Sequence, residues 1–265
     1  MFARYFAIYR IMFRNSLIRD MSFKASFLLW LAVGFLWFLG QIFFVQVIFG
    51  QVDRIGDWTK WEVVLLVAVH QLVSELFQAI FFVNLANIPE LVRTGKMDSI
   101  LQLPADSQFL VSVKQFGLDN LLNAGIGLGF ALFALAQMRV MPSAGQWLLF
   151  GFVLIFGVVA HYCVMFFLVT LSFWIVRAQG VVYGYFNMFN ISRFPDVIFT
   201  GVFRFVFSWI VPVILVANVP TRVLAHAGVN PWGAIAQLVA VGMVSLVATR
   251  LFWLHALKRY SSASS

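Results

Sequence analysis

Long apolar runs, each nearly free of charge, recur along the chain between short polar connections. Runs of about 18 or more such residues are long enough to cross the hydrocarbon layer as helices. They predict six spans, at about 26–49, 61–83, 117–138, 147–175, 199–218 and 232–254. The fourth is long enough to tilt or to extend past the bilayer. Gly50, Gly56, Pro89, Pro104, Pro142, Pro195, Pro220 and Pro231 punctuate the connections. Pro212, inside the fifth run, predicts a kink there. The fold class that follows is an all-α membrane protein with six transmembrane helices.

Ahead of the first span the pattern changes. Residues 2–23 alternate apolar clusters with Arg10, Arg14 and Arg19, and Phe2, Tyr5, Phe6, Tyr9, Phe13 and Phe23 supply the aromatic side. This is a basic amphipathic helix suited to lying in a headgroup layer. Five cations spread over the first 24 residues (Arg4, Arg10, Arg14, Arg19 and Lys24) and the long apolar run behind them exclude a cleavable leader, so the segment reads as an anchor. The organisation is therefore an interfacial helix over 1–25, a membrane domain over 26–260 and a short polar tail over 261–265.

Composition agrees, with 62% hydrophobic and 11% charged residues, against about 45–50% and 25% in soluble domains. The net charge of +8 is explained by topology rather than by nucleic acid. With both termini cytoplasmic, the inner segments hold Arg4, Arg10, Arg14, Arg19, Lys24, Arg93, Lys96, Lys114, Arg177, Arg193, Arg204, Arg250, Lys258 and Arg259. Only Arg54, Lys60, Arg139 and Arg222 fall in the outer loops, which is the asymmetry that cytoplasmic loops show. Cys163 is the single cysteine, and it is expected to pack within a span as a small apolar residue.

Two segments carry candidate chemistry. In the second span His70, Gln71, Ser74, Glu75 and Gln78 share an arc of about 140°. A charge near the middle of a span costs about 3 kcal/mol, so this stripe must face protein or a wet cavity. It is either the lining of a substrate path or gate, or a hydrogen-bonded seam between helices. In the loop 84–116, charged Glu90, Arg93, Lys96 and Asp98 interleave with Leu91, Val92, Met97, Ile100 and Leu101. That spacing suits short helices with one face on the membrane and one open to a partner. Gly125, Gly127 and Gly129 sit inside an apolar span, where they read as close helix packing. No catalytic or metal-ligating constellation is present: His70, His161, His226 and His255 are scattered. The chain also lacks the GxxxxGK[ST] phosphate loop that would let it hydrolyse ATP.

Several stretches are familiar: SLIRDMSFKASFLLW, IPELVRTGKMDSILQLP, SFWIVRAQG, ISRFPDVIFTG, VPVILVANVPTRVL and RLFWLHALKRYSSASS. In this order they resemble the six-span permeases of the ABC-2 exporter superfamily, in the branch with a basic N-terminal helix and an RYSSASS-like end. The resemblance implies a prokaryotic inner-membrane permease that works as a homodimer or with a related permease, above two copies of a separate ABC ATPase. ATP and Mg would be bound by that partner, with no cofactor in this chain. It further implies that Glu90, Arg93, Thr94, Gly95, Lys96 and Asp98 form the ATPase coupling loop, and that Arg10, Arg14 and Arg19 lie on the interfacial elbow helix. The cargo implied is amphipathic, drug-like or lipid-like. Several relatives carry re-entrant helices between the last two spans; residues 219–231 are too few for a substantial pair. The competing class is an ion-coupled carrier or channel with Glu75 as its proton site.

Overall fold

The computed structural model describes residues 2–175, 179–225 and 231–260. Arg177, His226 and the 261–265 tail lie outside them. The described residues are helical almost throughout, and the architecture follows from which helix is buried on every side. That helix is α3 (Lys60–Phe77), which continues through a π-helical turn (Gln78–Phe82) into α4 (Val83–Ala86). Val63 to Val69 are all buried, and so is the polar stripe that follows at His70, Gln71, Ser74 and Glu75, so the helix sits at the centre of the bundle. Its start is fixed by Glu62, whose carboxylate accepts from the Thr59 N–H at 2.6 Å.

Around α3 pack α2 (Lys24–Phe49), α8 (Leu118–Met138), α9 (Ala144–Thr170) and α12 (Val213–Ala225). The closest approaches are at glycines. A Cβ on Gly127 of α8 would sit 3.2 Å from the Ala68 carbonyl oxygen of α3, and one on Gly157 of α9 would sit 2.9 Å from that of Val216. Gly125 and Gly129 face open space instead, so only the middle glycine of the three expected to pack closely does so.

α13 (Trp232–Arg259) lies beside α9. Thr249 donates to the Cys163 carbonyl at 3.2 Å, Phe166 meets Trp253 and Phe173 meets Tyr260. Positions rise together along both helices, so the two run parallel and the chain between them must cross the bundle once, net. The sequence pattern put that crossing at 199–218. The structure corrects it. The crossing is made by α10 (Gln179–Phe189) and the 3-10 turn Asn190–Arg193. This segment climbs from Phe82, beside Tyr183 and Phe186, past His161, beside Phe189, to Asp196, which is bound by Arg222.

Residues 201–225 are then a hairpin. α11 (Gly201–Phe205) and a second π-helical turn (Val206–Ile210) lead inward, the chain bends by 82°, and α12 returns. Gln146, at the start of α9, donates to the Val223 carbonyl, whereas Gly157, deeper in α9, meets Val216. Hence α12 runs from mid-bundle to the end where it began. Pro212 stands at the bend, where its missing N–H and fixed φ suit a break better than a kinked crossing. Pro220, expected in a connection, lies inside α12. The re-entrant pair judged too short at 219–231 is thus present, built from 201–225.

Candidate functional site

At one end of the bundle three short helices follow α4: α5 (Ile88–Arg93), α6 (Met97–Leu101) and α7 (Ser107–Ser112). Their apolar residues Ile88, Pro89, Met97 and Ile100 are buried beneath them. α5 and α6 meet at Gly95, whose φ of +71° is the left-handed conformation that lets a helix end abruptly. Thr94 donates through its hydroxyl to the Glu90 carbonyl at 2.7 Å, closing the end of α5. Arg93 pairs with Glu90 through two hydrogen bonds, at 2.7 and 2.9 Å. Arg93, Thr94 and Lys96 are exposed, and Glu90, Gly95 and Asp98 are half-buried. The six residues named from sequence therefore share one tip, with its charged side outward.

The tip stands on a base that sequence reasoning missed. Asn84 clamps the backbone of Gln115: its Oδ1 accepts from the N–H at 2.9 Å and its Nδ2 donates to the carbonyl at 2.8 Å. The Ala79 carbonyl, in the π-helical turn that departs from regular α pairing, accepts from the Gly117 N–H at 2.9 Å. Farther along, Asp106 caps α7 by accepting from the Phe109 N–H and pairs with Arg250 of α13 at 2.6 Å. The Gln108 side chain bridges Arg250 and the Tyr162 hydroxyl, and the Trp253 indole donates to Ser107. Burial raises the Asp106 pKa, yet the Arg250 hydrogen bond, the Phe109 N–H and the Arg250 charge outweigh it, leaving the net value below the usual carboxylate range.

α1 (Phe2–Ser22) lies against this base. Tyr5 stacks edge-on to Phe109, and Tyr9 and Phe13 do so to Phe116. Part of the aromatic face expected in the headgroups is therefore spent on the loop. Arg19 donates to the Gln115 side chain at 2.7 Å and to the Phe116 carbonyl at 3.0 Å, and Ser16 accepts from the Phe116 N–H. Arg4 binds the Pro104 carbonyl. Arg10 and Arg14 remain exposed.

The stripe on α3 is buried at His70, Gln71, Ser74 and Glu75, and half-buried at Gln78. Its bonds run mostly along the helix: Gln71 to Glu75 at 2.8 Å and Gln78 to Ser74 at 3.3 Å. The second oxygen of Glu75 is buried without a partner. His70 leaves the row, meeting the Ser192 hydroxyl at 2.6 Å. It stacks on Phe189, whose ring also meets His161, itself stacked on Phe77 with centroids 3.8 Å apart. Two histidines far apart in sequence thus flank one phenylalanine in the core.

The opposite end is closed by ions. Arg222 of α12 binds Asp196 at 2.7 Å and Asp57 at 3.6 Å, and its guanidinium lies 5.1 Å from the Trp58 ring centre. Arg204 approaches Asp196 at 3.9 Å. Asn218 accepts from the Asp196 N–H and donates to the Phe194 and Ile214 carbonyls. Arg193 and Arg204, counted above with the basic end, belong here. The cationic bias is smaller than the sequence count, though α1, the 88–116 segment and the end of α13 keep one end the more basic.

No curated protein matches the chain. A family model described as ABC-2 family transporter protein matches residues 35–264, which takes in the second half of α2, every later crossing, the helical tip and the hairpin. This chain belongs to the ABC-2 family of membrane transporter proteins.

Proposed function

We propose that the chain is the permease subunit of an ATP-driven exporter whose ATPase is a separate polypeptide docking on the 88–101 tip. The carrying observation is the contrast within that element: an apolar underside held on a hydrogen-bonded base, and a polar outer side with the charges of Glu90, Arg93, Lys96 and Asp98 beside Thr94. A rigid lever with an exposed end is what transmits a partner's movement into α3. The basic end, with both termini, lies in the cytoplasm, in a prokaryotic inner membrane. Two permeases, identical or related, stand above two ATPases and pass an amphipathic, drug-like or lipid-like substrate outward by alternating access. The hairpin at 201–225 then forms part of the outer closure, and the α3 stripe borders the path or gate.

Reversing the tip charges (Glu90→Lys, Arg93→Glu, Lys96→Glu) in the reconstituted complex should leave assembly of the permease intact and abolish transport-linked ATP turnover. Undiminished substrate efflux in that variant removes the tip from the mechanism. The unpartnered oxygen of Glu75 keeps a second reading in play, an ion-coupled carrier with a proton site there. Efflux driven by a proton gradient with ATP depleted, and lost in Glu75→Gln, would replace the first reading with the second.

A further inference from the structure

A groove of 320 Å³ opens on the flank of the bundle between α2, the start of α3 and the segment 193–195. Its volume is in the range of small-molecule sites, about 300–1,000 Å³. Leu36, Trp37, Phe44, Val63 and Val67 form apolar walls. Trp37 is 66% and Leu36 64% exposed on a membrane-spanning helix, so the mouth faces lipid rather than water. Ile48 and Ile55 line the end of the groove nearest the 50–59 connection, at the less basic end.

Two polar side chains interrupt this wall, each with a buried atom that has no hydrogen-bond partner among the described residues. Gln41 is 92% buried by its 8% exposure, and its side-chain oxygen has no hydrogen-bond partner. Arg193 lines the same groove with Nε buried and unpartnered. No acidic side chain among the described residues pairs with Arg193. Asp196, three positions on, is already held by Arg222 and Arg204, and the Arg193 guanidinium lies over the Phe194 ring, 5.3 Å from its centre. An arginine set in an apolar wall is costly unless an anion or dipole meets it, and its forked donors match phosphate or carboxylate oxygens.

We propose that this groove binds an anionic amphiphile, its acidic head group on Arg193 and its hydrocarbon tail along Trp37 and Phe44. The Gln41 side-chain oxygen accepts from a hydroxyl or amide N–H below the head. Charge complementarity selects an anion, and the lipid-facing mouth selects a molecule with a tail over a free ion. The site is independent of the ATPase docking proposed above, so its failure leaves that reading untouched.

Trp37 provides the readout. Purified protein in neutral maltoside micelles is titrated with brominated-chain phosphatidylglycerol or brominated-chain phosphatidylcholine, and Trp37 emission is taken as the difference between wild type and Trp37→Phe. The anionic lipid should quench it with a half-saturating concentration about fivefold lower than the zwitterionic one, the scale of one charge-assisted bond. Arg193→Gln should bring the two lipids together, while Arg193→Lys keeps most of the preference and shows that the fold tolerates the position. Equal quenching by both lipids in wild type, or a preference unchanged in Arg193→Gln, overturns the proposal. Displacement of the bromolipid by inorganic phosphate alone replaces it with a plain anion site. Protection of Trp37 from both lipids assigns the groove to a second copy of the chain.

Discussion

Arg250 and Arg222 hold opposite ends of the bundle, and they do so differently. Arg250 joins α13 to the turn before α7 through one aspartate and one amide, with side chains 42% and 31% exposed at the ion pair. Arg222 joins α12 to aspartates from two separate connections and lies over an indole, and its pair with Asp196 is 18% and 19% exposed. At the basic end the polar contacts are many, neutral for the most part and spread over Asn84, Ser16, Arg19, Gln108 and Tyr162. At the other end they converge on the Arg222–Asp196 pair. A spread network tolerates the loss of a member and stays rigid, which suits a base that must carry a lever. A converged one can be released by a single event, which suits a closure.

The most damaging change should therefore be Arg222→Ala. It leaves Asp196 half-desolvated beside a vacated site, and breaking such a pair from one side costs about 2–3 kcal/mol when it is mostly buried. Reversible denaturation in detergent should register that loss, with Asp57→Asn, at the more exposed partner, costing less than about 1 kcal/mol. If Arg250→Ala proves as destabilising as Arg222→Ala, the distinction between converged and spread ends is wrong.

Between the ends, the helix contacts that keep the two in register can be tested at glycine. Gly127→Ala places a methyl against the backbone of α3, where neither the Ala68 carbonyl nor the Leu72 N–H, 3.2 and 3.3 Å from it, can move alone. Overpacking of this kind costs about 1–3 kcal/mol. Gly125→Ala and Gly129→Ala meet nothing and should be neutral or slightly stabilising, since alanine is the better helix former. Equal effects at all three positions would mean that α8 does not approach α3 through Gly127.

These glycines also show how far the sequence could be read. Spacing told that the run was helical and membrane-buried, but not which of three alternating glycines faced α3, because that depends on the rotation of α8. The helix at the start of the chain and the short helices of the tip at 88–101 were legible, since each is set by local chemistry. The fifth crossing was not. Its true segment is short, carries Asn187, Asn190 and Ser192, and passes from α-helix into a 3-10 turn, so it falls below the length and apolarity that mark a span. The hairpin that follows is more hydrophobic and mimics one. Arg193 and Arg204 seemed to support that choice as inner cations, when Asp196 holds Arg204 at the other end. Asn84 and Asn218 were invisible for a different reason: each acts on backbone groups, which no residue pattern records.

At the basic end the corresponding ionic test is milder. The Asp106 carboxyl has a folded pKa below its unfolded value despite the opposing effect of burial, because Arg250 and the Phe109 N–H favour its charged form. Its contribution is then present in full above about pH 4 and lost as the pH falls through the lower folded value. With much of the pair in solvent, the effect should stay under about 1 kcal/mol. Denaturation midpoints between pH 3 and 6 should fall more steeply in wild type than in Arg250→Gln, and parallel curves would show that the pair contributes nothing.

The smallest effect on stability should come from the residues given the largest role in function. Glu90 and Arg93 are one helical turn apart on an exposed surface, where such pairs add little, so exchanging them (Glu90→Arg with Arg93→Glu) should leave the melting temperature unchanged. Gly95→Ala should cost more, about 1 kcal/mol, because φ of +71° places a Cβ against the following carbonyl. A tip whose fold depends on Gly95 but not on its charges has those charges free to be spent on a partner. If the exchange lowered the melting temperature as much as Gly95→Ala does, Glu90 and Arg93 would be holding the tip together, and the case for an exposed docking surface would lose its main support.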